Sequence, residues 1–179
     1  MLCGGASARM GRDKAFVAYD GIAMVQRVSA TFVAAGCDAV VAVGGDAAAL
    51  TAAGLACVPD EFPGEGPLGG VITALHHLRG HRAVMVVACD LPLLTPATVA
   101  AVLGALTAAG PEIEAVMAFT DRLEPMCAAW RPGAAGELLA AFRAGERRLR
   151  VASRRLGVVE LSVPPTDLAN VNTPADLPQ

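Results

Sequence analysis

The chain has 179 residues with 14 basic and 17 acidic side chains, a net charge of −3, and a hydrophobic content of 54%. One domain spanning residues 1–179, able to bury a core without disulfides or structural metal, is the expectation for that size. The composition excludes disorder, the acidic balance excludes a general nucleic-acid binder, and apolar runs such as 83–89 are too short for a membrane-spanning helix despite a mean hydropathy of +0.50.

The first residues, Met1-Leu2-Cys3-Gly4-Gly5, carry no basic segment and no long apolar stretch, so no secretory signal is expected and the default compartment is the cytoplasm. Five cysteines, at 3, 37, 57, 89 and 127, form no C-x-x-C pair and no zinc spacing. They read mainly as buried, unreactive thiols.

Along the chain, short apolar runs alternate with helical patterns, the order expected of β-α-β units and a mainly parallel sheet. Strands are predicted at 39–43, 55–58, 83–89 and 115–119. Met24, Val25, Val28 and Phe32 fall at helical spacing and Gly36 ends that helix. Thr95-Pro96 opens a second, with Thr95 as the N-cap and Val99, Val102, Leu103 and Leu106 on one face, and Gly110-Pro111 stops it. A third is predicted over 133–142 and a fourth through the arginines that follow Gly145.

Residues 2–14 read L-C-G-G-A-S-A-R-M-G-R-D-K, placed where a first strand gives way to a loop. Glycines let backbone N–H groups turn inward around phosphate oxygens, and Ser7, Arg9 and Lys14 add side-chain donors. The spacing is neither a Walker A loop nor G-x-G-x-x-G, and an ordinary turn is the competing reading. Lys14 favours the phosphate reading, because it is the only lysine beside thirteen arginines. A compact ammonium does a different job from a planar guanidinium. Leu2, Cys3, Gly4, Gly5 and Lys14 are therefore candidate nucleotide contacts, with Arg9 and Lys14 candidate catalytic cations.

Asp90 follows the most apolar run, at the predicted carboxyl end of a central strand, where open α/β sheets bind ligands. A helix cap is the competing reading, but Thr95 already fills that role. One carboxylate with substrate phosphates suffices for Mg²⁺. Asp60 precedes Phe62-Pro63-Gly64-Glu65-Gly66-Pro67-Leu68-Gly69-Gly70, read as a loop too glycine-rich to serve packing; Glu61 and Glu65 read as solvated charges. His76, His77 and His81 lack metal-binding spacing and read as surface or capping residues. Arg143, Arg147, Arg148, Arg150, Arg154 and Arg155 form either a solvated helix face or a cradle for an anion.

In order along the chain, the opening loop, Pro59-Asp60, Gly66-Pro67-Leu68-Gly69-Gly70, Cys89-Asp90-Leu91-Pro92, Ala144-Gly145-Glu146-Arg147-Arg148 and Asn170-Val171-Asn172-Thr173-Pro174 resemble the MobA-like nucleotidyltransferase family. The resemblance implies a single Rossmann-like three-layer α/β domain. It implies a Mg²⁺-dependent transfer of GMP from GTP to the phosphate of molybdenum-bearing molybdopterin, with pyrophosphate as the second product. Asp60, Gly66, Pro67, Leu68 and Gly69 would line the nucleotide pocket, Asp90 would touch both nucleotide and metal, and Arg147, Arg148, Asn170 and Asn172 would meet the acceptor, only one of the two arginines facing it. Gly44-Gly45, where bacterial members place an Asn, receives no assignment. Transient partners would be molybdenum-insertion proteins or recipient molybdoenzymes. A cytidylyl version of the reaction and a noncatalytic nucleotide or cofactor carrier are the two alternatives.

Overall fold

Helices on both faces of a largely parallel sheet account for nearly every buried apolar run in the chain. The computed structural model describes residues 1–4 and 14–170. In chain order its elements are β1 (Ala18–Tyr19), β2 (Ile22–Ala23), α1 (Met24–Ala34), β3 (Val41–Val43), α2 (Ala47–Ala52) and β4 (Ala56–Val58). There follow α3 (Pro67–His77), β5 (Val84–Val87), α4 (Pro96–Ala108), β6 (Ala115–Phe119), β7 (Leu123–Trp130), α5 (Ala135–Arg143), α6 (Leu149–Ala152) and β8 (Val158–Ser162).

The main sheet runs β5-β7-β6-β8, and β3 pairs in parallel with β4. Residues 1–3 join the two parts. Leu2 bridges Val43 on one side and Ala88 on the other, both in parallel, with Leu2 N–H donating to the Val87 carbonyl at 2.8 Å and Cys3 N–H to that of Val43 at 2.9 Å. The layer order is therefore β4, β3, residues 1–3, β5, β7, β6, β8. Only β7 runs against the rest of this sheet among the described residues.

Strand alternation distributes the core. Met85, Val87, Val116 and Ala118 meet Val25, Val28 and Phe32 of α1 and Val99, Val102 and Leu106 of α4. Val84, Val86, Ala115 and Met117 meet Leu68, Val71, Ile72 and Leu75 of α3, Leu138 of α5 and Leu149 of α6. The period of two in the strands and of 3.6 in the helices thus produces three layers.

The strand at 115–119 matches its expectation, while those at 39–43, 55–58 and 83–89 are shorter by up to three residues. Thr95 caps α4 as expected, its hydroxyl accepting from Thr98 N–H at 3.2 Å with Pro96 in the first turn. The expected fourth helix is α6 followed by a 3-10 turn at Ser153–Arg155. Gly36 follows α1 at φ +84°, as a helix stop requires. Four features lay outside the sequence reading: α2, β8, a hairpin and β7. The hairpin of β1 and β2 turns on Asp20 and Gly21, both at positive φ. β7 contains Pro125, and the pairing with β6 slips between Met117 and Ala118, opposite the stretch that holds it.

The largest correction concerns Gly66–Gly70. That segment is the start of α3 and is packed hard: Leu68 is fully buried and Gly69 and Gly70 are buried beside it. A Cβ on Gly69 would stand 2.8 Å from Phe62 Cβ, and one on Gly70 would stand 3.1 Å from Leu2 Cδ1. These glycines serve the close approach of α3 to its neighbours, the packing role the sequence reading had denied them.

Candidate active site

Because β4, β3, residues 1–3 and β5 are adjacent and parallel, their carboxyl ends open on one edge of the sheet. They deliver Asp60, Gly44-Gly45, Gly4 and Asp90 to that edge. Gly44 and Gly45 both have positive φ, at +69° and +82°, and Gly44 N–H donates to the Val58 carbonyl at 2.9 Å. A Cβ on Gly44 would lie 3.1 Å from Gly4 Cα, and one on Gly4 would lie 3.8 Å from Asp60 Oδ2. Three turns are in near contact here, so the backbone itself forms the wall.

Asp60 is held rather than loose. Its Oδ1 accepts from Phe62 N–H at 3.0 Å and from the Thr73 hydroxyl at the same distance. Thr73 is buried in α3 and also accepts from Glu61 N–H at 3.1 Å. The second carboxylate oxygen, Oδ2, is the one turned toward Gly4. Two donors on one oxygen fix the rotamer of Asp60 and leave its charge pointing at the glycine wall.

Asp90 stands just past the bridge at Ala88, where Cys89 N–H donates to the Leu2 carbonyl at 3.2 Å. It is half-buried. Among the described residues no group of three or more His, Cys, Asp or Glu side chains gathers to hold a metal. A single carboxylate at the end of a strand fits Mg²⁺, which takes one or two protein carboxylates and completes its shell from phosphates and water.

The arginines divide. Arg147 Nε pairs with Glu65 Oε2 at 2.6 Å, Nη1 donates to the Phe142 carbonyl at 2.8 Å, and the guanidinium lies 3.9 Å over the Phe142 ring. Phe142 also packs against Phe62, with ring centroids 4.6 Å apart. Arg148 is more exposed and its Nε pairs with Glu146 Oε1 at 3.0 Å. That guanidinium, donating to the carboxylate, holds Glu146 down to about 2. A cavity lined by Ala144, Gly145, Glu146, Arg148, Val151 and Arg155 opens beside this pair.

Of the residues expected in the site, Gly4, Asp60 and Asp90 come to the same sheet edge. Leu2 and Cys3 are buried strand residues, and the N–H and carbonyl of Leu2 are consumed by the sheet. Gly66 precedes α3 at φ +89°, and a Cβ there would be 3.9 Å from the Arg147 carbonyl, which brings the α3 start to the arginine turn. Asn170 is exposed. Gly5, Arg9, Asn172 and the Lys14 side chain lie outside the described residues. Glu61 and Glu65 are paired, with His76 at 3.0 Å and with Arg147. His81 Nδ1 lies 3.5 Å from Asp38 Oδ2, so two of the three histidines stand against a carboxylate near the surface. Gly44 and Thr73 were missed. Paired glycines directly after a strand could have signalled the first; nothing in the sequence singles out the second.

The fold and the turns at this edge define a nucleotide-handling α/β protein. Residues 1–159 match the MobA-like NTP transferase domain, and the chain belongs to that family. It is 34% identical to the probable molybdenum cofactor guanylyltransferase of Chloroflexus aggregans, covering 99% of this chain and 89% of that one. With the molybdenum cofactor guanylyltransferase of Rhizobium meliloti the identity is 33%, over 100% and 88% of the two chains. The crystal structure of molybdopterin-guanine dinucleotide biosynthesis protein A from Archaeoglobus fulgidus superposes with a TM-score of 0.78 at 27% identity, covering 98% and 92%.

Proposed function

We propose that this protein transfers GMP from GTP to the phosphate of molybdenum-bearing molybdopterin, giving the guanine dinucleotide form of the cofactor and pyrophosphate. The observation that carries the reading is the meeting of Gly4, Gly44, Asp60 and Asp90 at the carboxyl ends of four adjacent parallel strands. The names of its relatives support the same chemistry.

The acceptor is its own nucleophile. A phosphate monoester with a second pKa near ~6 is largely dianionic at neutral pH. Its oxygen attacks the α-phosphorus of GTP, the bond from that phosphorus to the bridging oxygen breaks, and pyrophosphate leaves with the electron pair. No general base is needed, so the protein contributes positioning and charge neutralisation. Mg²⁺, held by Asp90, would supply positive charge at the phosphates. Lys14, Arg9 and the amides of the opening loop hold the pyrophosphate.

Backbone groups near Gly66 and Asp60 read the guanine edge, where a mismatched base strands donors and acceptors at about 1–3 kcal/mol each. On the acceptor side Arg148, Asn170 and Asn172 take the phosphate and pterin. Arg147 is tied to Glu65 and Phe142 on other parts of the fold, whereas Arg148 is the more exposed and pairs only with its near neighbour Glu146, which makes it the arginine that turns to the ligand. A cytoplasmic setting is part of the same reading, and no described helix is long and apolar enough to cross a membrane.

The test is pyrophosphate release by purified protein with Mg²⁺, molybdenum-loaded molybdopterin and each nucleotide in turn. GTP should give the fastest release. Faster release with CTP assigns the cytidylyl reaction instead, and nucleotide binding without release from any triphosphate makes the protein a carrier.

A further inference from the structure

Asp167 is a buried carboxylate near the end of the described chain, and its partners are all on other parts of the fold or beside it. Its Oδ2 accepts from the hydroxyls of Thr95 and Thr98, each at 2.6 Å. These short bonds to a charged acceptor are of the strong kind. They also sit at the first turn of α4, where the helix favours negative charge.

The contact links two loops. Thr95 gives its hydroxyl proton to Asp167 and uses its oxygen lone pair to cap Thr98 N–H, so the carboxylate orients the cap. Between Asp90 and Thr95 the chain is held by burial and by bonds to α1. Leu91 and Leu94 are buried and joined by a turn bond at 3.2 Å. Arg27 Nε donates to the Pro92 carbonyl at 3.3 Å and the Thr31 hydroxyl to that of Leu94 at 3.1 Å. On the other side, Asn170 follows Asp167 by three residues, at most about 10 Å of chain. One carboxylate thus ties the loop bearing Asp90 to the segment bearing Asn170.

We propose that Asp167 is a positioning residue for the transfer reaction, fixing the spacing between the Asp90 loop and residues 165–170, whose last member, Asn170, lies on the acceptor side of the functional reading. It rests on the functional reading above for its kinetic consequence, whereas the tie itself is structural. The carboxylate therefore does two things at once, orienting the Thr95 cap and bonding residues 165–168 to the start of α4.

The experiment compares the full chain with Asp167→Leu, Asp167→Asn and Thr98→Val. In Asp167→Leu the KM for molybdenum-loaded molybdopterin should rise at least ~10-fold while the equilibrium affinity for Mg²⁺-GTP stays within ~2-fold. Asp167→Asn, whose amide oxygen can accept the same bonds, should restore most of the acceptor KM. Backbone amides of residues 166–170 should exchange faster with deuterium in Asp167→Leu. If that variant does not fold, Thr98→Val carries the same comparison with a ~3-fold rise in acceptor KM. Parallel loss of GTP affinity and acceptor KM, or an unchanged acceptor KM, overturns the proposal. Absence of pyrophosphate release by the unaltered protein removes the functional reading instead, and the exchange measurement then still reads the tie.

Discussion

The Arg147 guanidinium is sandwiched between the Phe142 ring, 3.9 Å beneath it, and the Glu65 carboxylate, 2.6 Å from its Nε. One side chain therefore holds the turn before α3 against the turn after α5. Cation–π contact contributes about 0.5–2 kcal/mol. The half-exposed ion pair adds little. Arg147→Ala should lower the melting temperature by about 2–6 °C, the shift ~1–2 kcal/mol gives in a domain of this length. Arg148→Ala should leave melting nearly unchanged and weaken acceptor binding. Thermal melts and acceptor titrations on the two variants separate the roles.

Gly44→Ala should be among the most damaging single-methyl additions. Its φ of +69° is strained for any L-residue, and the new Cβ would meet Gly4 Cα at 3.1 Å. Strain of this kind costs roughly 1–3 kcal/mol. The nearby Gly54, also at positive φ, has nothing within 4 Å of its Cβ position. Gly54→Ala should therefore cost less stability, and only Gly44→Ala should also raise the KM for GTP.

Asp90→Ala should lower turnover by at least ~100-fold, about 2.7 kcal/mol of transition-state stabilisation, with the fold intact. Circular dichroism checks the fold and pyrophosphate release the rate. Wild-type turnover in a folded variant would assign the metal elsewhere.

Glu146 sets an acid limit on the arginine turn. Its carboxyl is held to about 2, chiefly by the Arg148 side chain donating to it, with the Arg148 and Arg147 backbone N–H groups helping. Folded pKa lies below the ordinary 4.5, so the contribution is complete above that value and fades as pH falls toward 2. The pair is exposed to solvent, and salt should shrink the effect. An NMR titration should find the Glu146 carboxyl midpoint well below those of free glutamates, and Arg148→Ala should return it upward.

The parts of the fold that the sequence makes legible are those where one local rule decides. Val116 and Ala118 alternate with Ala115 and Met117 between the two core faces, so β6 shows in its pattern. Thr95-Pro96 is a cap with its own chemistry. β7 escaped because Pro125 is poison to a paired strand until the slip opposite it is known, and that slip is a tertiary fact. Gly69 and Gly70 misled because glycine signals a turn equally well as a close helix contact, and only Phe62 and Leu2 arriving from elsewhere decide between them. At the sheet edge, Asp90 was readable from its place after the most apolar strand, whereas Asp60 by itself could be any turn and stood out only through the family resemblance. Thr73 was not readable, since a threonine within a helical pattern gives no sign of the carboxylate it will hold.

The antiparallel strand β7 also shapes how the sheet is assembled in time. Its turn with β6 spans only residues 120–122, whereas every parallel pairing waits for a crossover, and residues 1–3 wait for both 43 and 88. Short loops close early because they surrender little chain entropy. On that rule the β6–β7 ribbon should pair before the parallel strands of the sheet, and the edge that gathers Gly4, Gly44, Asp60 and Asp90 should become ordered after it. A lesion in β7 should slow folding, while one at Gly44 should mainly hasten unfolding.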